Sequence, residues 1–309
     1  MMTAYIVVRN TDGTEILEEK ILSFAFRKDA YLPYTMLNAR IYAASCEFDK
    51  AAEILLYIGE KLVHHGLIDT LTVTFSGGSS NVVSLISRGF TSLLCQNQIE
   101  PGLKTGVSIN NLMDSFYALP YVTHEDNSDQ SSYIYVKNNS TMWDGIVNLS
   151  YKHYGTYPFI RDTNCVRMTP VASPSEFRYE RKQLLSTGAA ITGRRLVSHF
   201  HMPNLNDEYG EFELEDADVT AEKIVRHKYI ELDRQFLHDP QQALIYRDKY
   251  AARGWRRLFC SYSGYNGEDL SDIISFGDIA SERIAAIEIN GSSSGIVTEI
   301  SVYHDKFPR

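Results

Sequence analysis

The sequence predicts a mainly β protein of the α+β class, with two similar β-rich modules on either side of a mixed middle segment. Two stretches, Ala51 to Leu94 and Arg256 to Tyr303, alternate apolar and polar residues around tight polar turns, the pattern of antiparallel hairpins. In the first, Leu71, Val73 and Phe75 alternate with Thr72 and Thr74, Gly77-Gly78-Ser79-Ser80 turns the chain, and Val83 to Arg88 returns. In the second, Ile284 to Ile289 leads into Asn290-Gly291-Ser292-Ser293-Ser294-Gly295, and Ile296 to Val302 returns. The composition agrees: 20 tyrosines and 14 phenylalanines against two tryptophans suit β surfaces better than a long helical bundle.

Taken in order, Tyr5 to Arg9 is the first expected strand, followed by a turn at Asp12-Gly13 and a strand over Ile21 to Arg27. Tyr42 to Glu47, Glu53 to Ile58 and Lys61 to His65 read as further strands. Helix over Ala51 to Val63 is the rival, but Gly59 interrupts it and Gly66 closes it. After Pro101 the pattern changes. Ser108 or Asn110 caps a helix with Leu112, Met113, Phe116, Tyr117 and Leu119 on one face, stopped by Pro120. Val122 to Val136 reads as a strand pair around the polar loop His124 to Ser132. The clearest helix has Ser140 as N-cap, then Trp143, Ile146, Val147, Tyr151 and Tyr154 at helical spacing, with Gly155 just past its end. Phe159 to Met168 reads as a strand pair turning at Asp162-Thr163-Asn164.

Beyond Pro170, β character resumes over Ser175 to Arg181 and Leu196 to His201. The acidic stretch Asn206 to Asp218 has few apolar anchors and reads as an exposed loop or insertion. Asp239-Pro240 opens a helix through Ala243, Leu244, Arg247, Tyr250 and Ala251 to Gly254. A terminal β meander completes the chain.

The chemistry-bearing motifs are sparse. Gly291-Ser292-Ser293-Ser294-Gly295 matches the nucleophile-elbow pattern, but strand follows it where that motif needs a helix, so a hairpin turn is expected. His199 and His201 on a strand would put both imidazoles on one face about 7 Å apart, a spacing that could share a metal. No nearby Cys, Asp or Glu spacing completes such a site, and His64-His65 would point to opposite faces. Cys46, Cys95, Cys165 and Cys260 form no CxxC pair and are expected to be reduced thiols. The 39 carboxylates allow coincidental acid/base pairs, but there is no P-loop, GxGxxG or HExxH. No catalytic, cofactor-binding or metal residue is therefore assigned. A net charge of −9 argues against a nucleic-acid wrapping surface. Met1 to Arg9 lacks the parts of a signal peptide, and no apolar run approaches the ~20 residues of a membrane span.

The order of modules resembles the baseplate hub proteins of contractile phage tails and related injection machines, the late control D-like family. Asn138-Asn139-Ser140-Thr141-Met142-Trp143-Asp144-Gly145-Ile146-Val147, then Tyr157-Pro158-Phe159-Ile160 and Val166-Arg167-Met168-Thr169-Pro170, look like that family's Trp-Asp helix and following hairpin. Arg88-Gly89-Phe90-Thr91-Ser92-Leu93-Leu94, Gly277-Asp278 and the final hairpin are also similar. The resemblance implies two tube-like antiparallel β-barrel domains, 1–100 and 171–309, flanking a small α/β domain at 101–170; the acidic insertion at 204–220 matches no role in that family. It further implies a structural, non-enzymatic subunit without cofactors. Three copies would adapt a hexameric tail tube to a trimeric spike, alongside other baseplate proteins. The particle would assemble in the bacterial cytoplasm, DNA would pass its channel without specific binding, and nothing would insert into a membrane. The resemblance shows no counterpart here to the wall-cutting domain of larger hubs, so wall cutting is expected to fall to a partner. A peptidoglycan-degrading tail enzyme and the hub of a long non-contractile tail are the alternatives.

Overall fold

The computed structural model describes residues 3–307 apart from 19, 44–49, 76–80, 117, 233–239 and 305. The Gly77–Ser80 turn, Cys46, Tyr117 and the Asp239 cap lie outside the described residues. The chain opens with seven strands: β1 (Ala4–Asn10), β2 (Glu15–Glu18), β3 (Ile21–Asp29), β4 (Met36–Ala43), β5 (Ala51–Ile58), β6 (Lys61–Phe75) and β7 (Asn81–Gly89). A short helix, α1 (Leu93–Gln96), leads to the middle segment of β8 (Gly102–Val107), α2 (Ile109–Asp114), β9 (Thr123–His124), β10 (Ser131–Val136), α3 (Met142–Tyr154), β11 (Phe159–Arg161) and β12 (Cys165–Arg167). The rest comprises β13 (Glu176–Tyr179), β14 (Leu184–Ile191), β15 (His199–Met202), β16 (Phe212–Glu215), α4 (Ala217–Ala221), β17 (His227–Tyr229), α5 (Pro240–Ala251), β18 (Arg256–Ser263), β19 (Ile273–Phe276), β20 (Ile279–Arg283), β21 (Ala286–Ser292) and β22 (Gly295–Tyr303). The fold is mainly β, as the alternation predicts, around a large curled antiparallel sheet.

The two β-rich ends of the chain share that sheet. Its order is β14-β18-β22-β21-β3-β4-β7-β6-β5-β1-β2, and the join is β21 on β3, with Ile289 opposite Phe26 and Gly291 opposite Phe24. One core runs along it, taking Ile6, Phe24, Leu37, Ile54 and Leu85 from one end and Ile274, Ile287, Ile289 and Ile300 from the other. A second core belongs to the middle segment, where Trp143, Ile146, Val147 and Leu149 of α3 pack on Ile134, Val136 and Val166. Both expected hairpins form, with Leu71 opposite Leu85 and Val73 opposite Val83 in one, and Ile287 opposite Ile300 in the other.

Several expectations are corrected. β4 starts at Met36, not Tyr42, because Leu37, Ala39 and Ile41 are the inward residues and the small Ala39 hides the alternation. Gly66 does not close a strand. β6 continues to Phe75, and Gly66 sits opposite Gly89 where a Cβ would overlap the Arg88 carbonyl. β9 and β10 are not a hairpin: β10 pairs with β8, while β9 lies parallel to β12. α2 ends at Asp114, short of Pro120, and Ser108 and Asn111 form its capping box. Thr141, not Ser140, caps α3 through a reciprocal pair with Asp144, and Gly155 ends the helix at φ 68° as expected. β21 extends through Gly291 to Ser292, so the turn is tighter than expected. The acidic stretch is ordered: Phe212 and Leu214 anchor β16 beside β15, and Asp216 caps α4. Strands β2, β8 and β14 carry too little alternating apolar pattern to have been expected.

Candidate assembly surface

Among the described residues, the motifs singled out in the sequence take these places. Gly291 to Gly295 is a hairpin end, with Ser292 and Ser294 hydroxyls 2.7 Å apart and exposed. Gly291 is needed there because a Cβ would run into the Phe24 ring. Cys95, Cys165 and Cys260 are free thiols, and burial pushes Cys95 and Cys260 up to about 12, which removes their nucleophilic form. His64 and His65 do diverge. His64 bonds Thr35 Oγ1 and Ser87 Oγ, each at 2.8 Å, while His65 meets Glu53 at 2.9 Å.

The loop between β18 and β19 is the polar centre of the molecule. Glu268, Asp269 and Asp272 are all buried, and each fastens a different part of the chain. Glu268 accepts from the Tyr179 and Tyr262 hydroxyls and from Asn266 N at 3.1 Å. Burial, aided by that carboxylate, pushes both phenols up, so they remain donors. Asp269 accepts from the Lys28 ammonium of β3 and, at 2.7 Å, from Asp162 N in the β11–β12 turn. Lys28 also donates to the Asp162 carbonyl at 2.6 Å. Burial pulls the Lys28 ammonium below the usual lysine range, against the opposing pull of Asp269. Asp272 accepts from Arg161 at 2.8 Å and from Ser175 N at 3.1 Å. Asn164 completes the join by donating to the His65 carbonyl at 3.0 Å and accepting from Thr91 N. A cavity of about 240 Å³ lies along this seam, lined by Lys28, Lys61, Tyr265 and Glu268 among others. The seam ties the middle segment to both ends of the large sheet. The turn Asp162-Thr163-Asn164 was legible in the sequence, but its partners some 100 residues away were not.

The surfaces available for contact are the sheet's ends. Among the described residues β2 pairs only with β1 and β14 only with β18, so each leaves one backbone edge unpaired. β14 also exposes Leu185 and Ile191, at 62% and 71%, and β2 exposes Leu17. An exposed edge carrying apolar side chains is a template for another chain. At the tip of β6, Phe75 is exposed as well.

The HxH pair lies on β15 and shares one face, as expected. It belongs to a ladder that the sequence expectation missed. Glu215, His199 and His227 face one another across β16, β15 and β17, as do Glu213, His201 and Tyr229. His199 stacks on His227 with ring centroids 4.3 Å apart, and His201 stacks on Tyr229 at 4.6 Å. Rings stacked face to face do not converge their lone pairs, and among the described residues no three His, Cys, Asp or Glu side chains converge on a metal position. The signal was present as a shared period of two in Glu213-x-Glu215 and His227-x-Tyr229. Glu213 and Glu215 therefore neighbour the pair as hydrogen-bond and ion-pair partners.

No protein-family model matches this sequence, and no curated protein does. Solved structures do match along almost its whole length. A tail protein from Neisseria meningitidis aligns with a TM-score of 0.70 at 14% identity, covering 98% of this chain and 97% of that one. A 43 kDa tail protein of prophage MuSo2 from Shewanella oneidensis gives 0.70 at 12% identity, covering 97% and 98%. An Escherichia coli protein described as a component of the type VI secretion system, with structural similarity to T4 bacteriophage tail proteins, gives 0.57 at 8% identity, covering 94% and 76%. At these identities the likeness is one of fold. The chain has the fold of phage tail and type VI secretion proteins.

Proposed function

We propose that this chain is a structural hub subunit of a phage tail or phage-tail-like particle, a homotrimer that joins a hexameric tail tube to a trimeric spike. The observation that carries the proposal is the open eleven-stranded sheet built from both ends of the chain, whose edge strands β2 and β14 have no outer strand partner among the described residues. Edges of this kind are satisfied when β14 of one copy meets β2 of the next, and a closed ring leaves none exposed. Three copies, each contributing two β-rich modules, give the six positions that a six-fold tube requires. The segments 1–100, 101–170 and 171–309 are the units proposed to divide this work, the middle one held to both others by the Glu268–Asp272 seam. Tail tube, spike and neighbouring baseplate proteins are the proposed partners, and the assembled particle is the proposed location. A subunit of net charge −9 also suits a channel through which a polyanion slides, because like charge removes the counterion-release attraction.

The role is proposed to be non-catalytic. Its experiment is light scattering of the chain mixed with its spike protein. Three copies per spike trimer are expected, and a monomer that leaves the spike free would overturn the trimer. Soluble fragments released from peptidoglycan by the purified chain would overturn the non-catalytic role.

A further inference from the structure

The three-stranded sheet β16-β15-β17 stands apart from the large sheet and carries three of the chain's nine histidines on one face. On its other face Phe200 and Met202 pack on α5. β17 is its fragile member: three residues long, exposed throughout and, among the described residues, paired only along β15.

The hydrogen bonds fix where the protons are. His201 Nδ1 lies 2.9 Å from Glu213 Oε1, a carboxylate that can only accept when ionised, so Nδ1 carries the proton. In the neutral ring His201 Nε2 is then an acceptor, and it takes the proton of His227 Nδ1 at 3.0 Å. His199 Nδ1 meets Ser198 Oγ at 2.9 Å, and its Nε2 lies 3.8 Å from Glu215. The His201–His227 bond survives one added proton, because either ring can donate while the other accepts. A second proton makes both facing nitrogens donors and breaks the bond. His227 also lies 4.3 Å from the His199 ring and 5.3 Å from the His201 ring, so protons added to these rings place like charges side by side.

The charged and titratable groups around the column do not cancel this. Glu213 and Glu215 on β16 sit on the far side of β15 from His227. Flanking His227 on its own segment are Arg226, which donates to the Gly193 and Leu196 carbonyls, and Lys228, both positive. Tyr229 and Tyr209 are in edge contact at 5.3 Å, and α5 contributes Gln241, which donates to the Glu213 carbonyl.

We propose that the His199–His227–His201 column is an acid-labile clasp. It holds β17 on β15 near neutral pH and releases it when the rings gain protons, opening the β15 edge. The proposal is independent of the hub role.

Amide hydrogen exchange of the full chain tests it, with rates corrected for intrinsic pH dependence. Between about pH 7.5 and about pH 5 the protection of residues 226–230 should fall by at least tenfold. His227→Gln keeps a hydrogen-bonding side chain but adds no charge, and it should abolish the pH-dependent part of that loss. Protection of 226–230 that is the same at both pH values in the unmodified chain overturns the proposal. So does an equal loss in H227Q and the unmodified chain. Because the unmodified chain alone can give the first result, the test does not depend on the variant folding.

Discussion

Removing the Asp269 carboxylate should be among the most damaging single changes in this protein. In Asp269→Ala the Lys28 ammonium, whose side chain is 5% exposed, keeps only the Asp162 carbonyl as acceptor. Breaking a buried pair by deleting one partner costs about 3–5 kcal/mol. A ceiling comes from Lys28 itself, which can shed its proton instead of staying charged and unpaired. At pH 7 that costs about 1.4 kcal/mol for each of the roughly 3.4 units below the free lysine value of about 10.4, or about 4–5 kcal/mol. The two figures agree. If the proton is shed, the unfolded chain binds more protons than the folded one. Stability of the variant should then rise with pH between about 7 and 9, by up to about 1.4 kcal/mol per unit. Urea unfolding followed by the fluorescence of Trp143 and Trp255 measures this, with Lys28→Met and the double variant completing a cycle. A loss below about 1 kcal/mol in Asp269→Ala, or a coupling energy below about 0.5 kcal/mol, would refute the seam as the fastening between the middle segment and the sheet.

Other changes have definite expected outcomes. His64 is buried and held neutral, and burial lowers it to about 3. An unfolded imidazole titrates near 6.5, so this stabilisation is complete above that value and is lost as pH falls toward 3. The loss is about 2 kcal/mol between about pH 6.5 and 5, and His64→Gln should flatten that slope in pH-dependent unfolding. Phe307 is buried among Tyr31, Tyr151, Tyr157 and Tyr246. Phe307→Ala should cost about 3–5 kcal/mol and free the end of the chain to limited proteolysis, even though Lys306 still bridges Asp216 at 2.5 Å and Asp248 at 2.7 Å. Gly66→Ala would force β6 and β7 apart at the Arg88 carbonyl, with an expected loss of about 1–3 kcal/mol in the same unfolding assay. Leu185→Lys with Ile191→Lys, both exposed on the edge strand, should leave stability within about 0.5 kcal/mol per site and reduce the copies held per spike in light scattering.

Local pattern was enough for the mainly β class, both terminal hairpins, α3 with its Gly155 stop, and the turn at Asp162. Each of these rests on residues within a few positions of one another: a period of two, a period of 3.6, a capping pair or a positive φ. Pattern failed where local residues are mute. β14 has no regular alternation, Ala39 is too small to mark an inward position, and Gly66 reads as a stop although it is a close approach between two strands. The ladder was half legible: HxH was seen, but Glu213, Glu215 and His227 became its neighbours only through strand pairing.

The sequence by itself determined those strands and helices whose residues carry a clear period, and which of their faces are apolar, since propensity and burial act over a few residues. The tertiary structure alone decided that β21 lies against β3, that one loop binds Lys28, Arg161, Tyr179 and Tyr262, and that β2 and β14 are the edge strands among the described residues. Those choices depend on contacts between residues far apart in sequence, such as Asp29 and Tyr303, 274 positions apart. Backbone edges carry no identity of their own, so strand order follows from which complete set of faces, charges and turns can be satisfied at once.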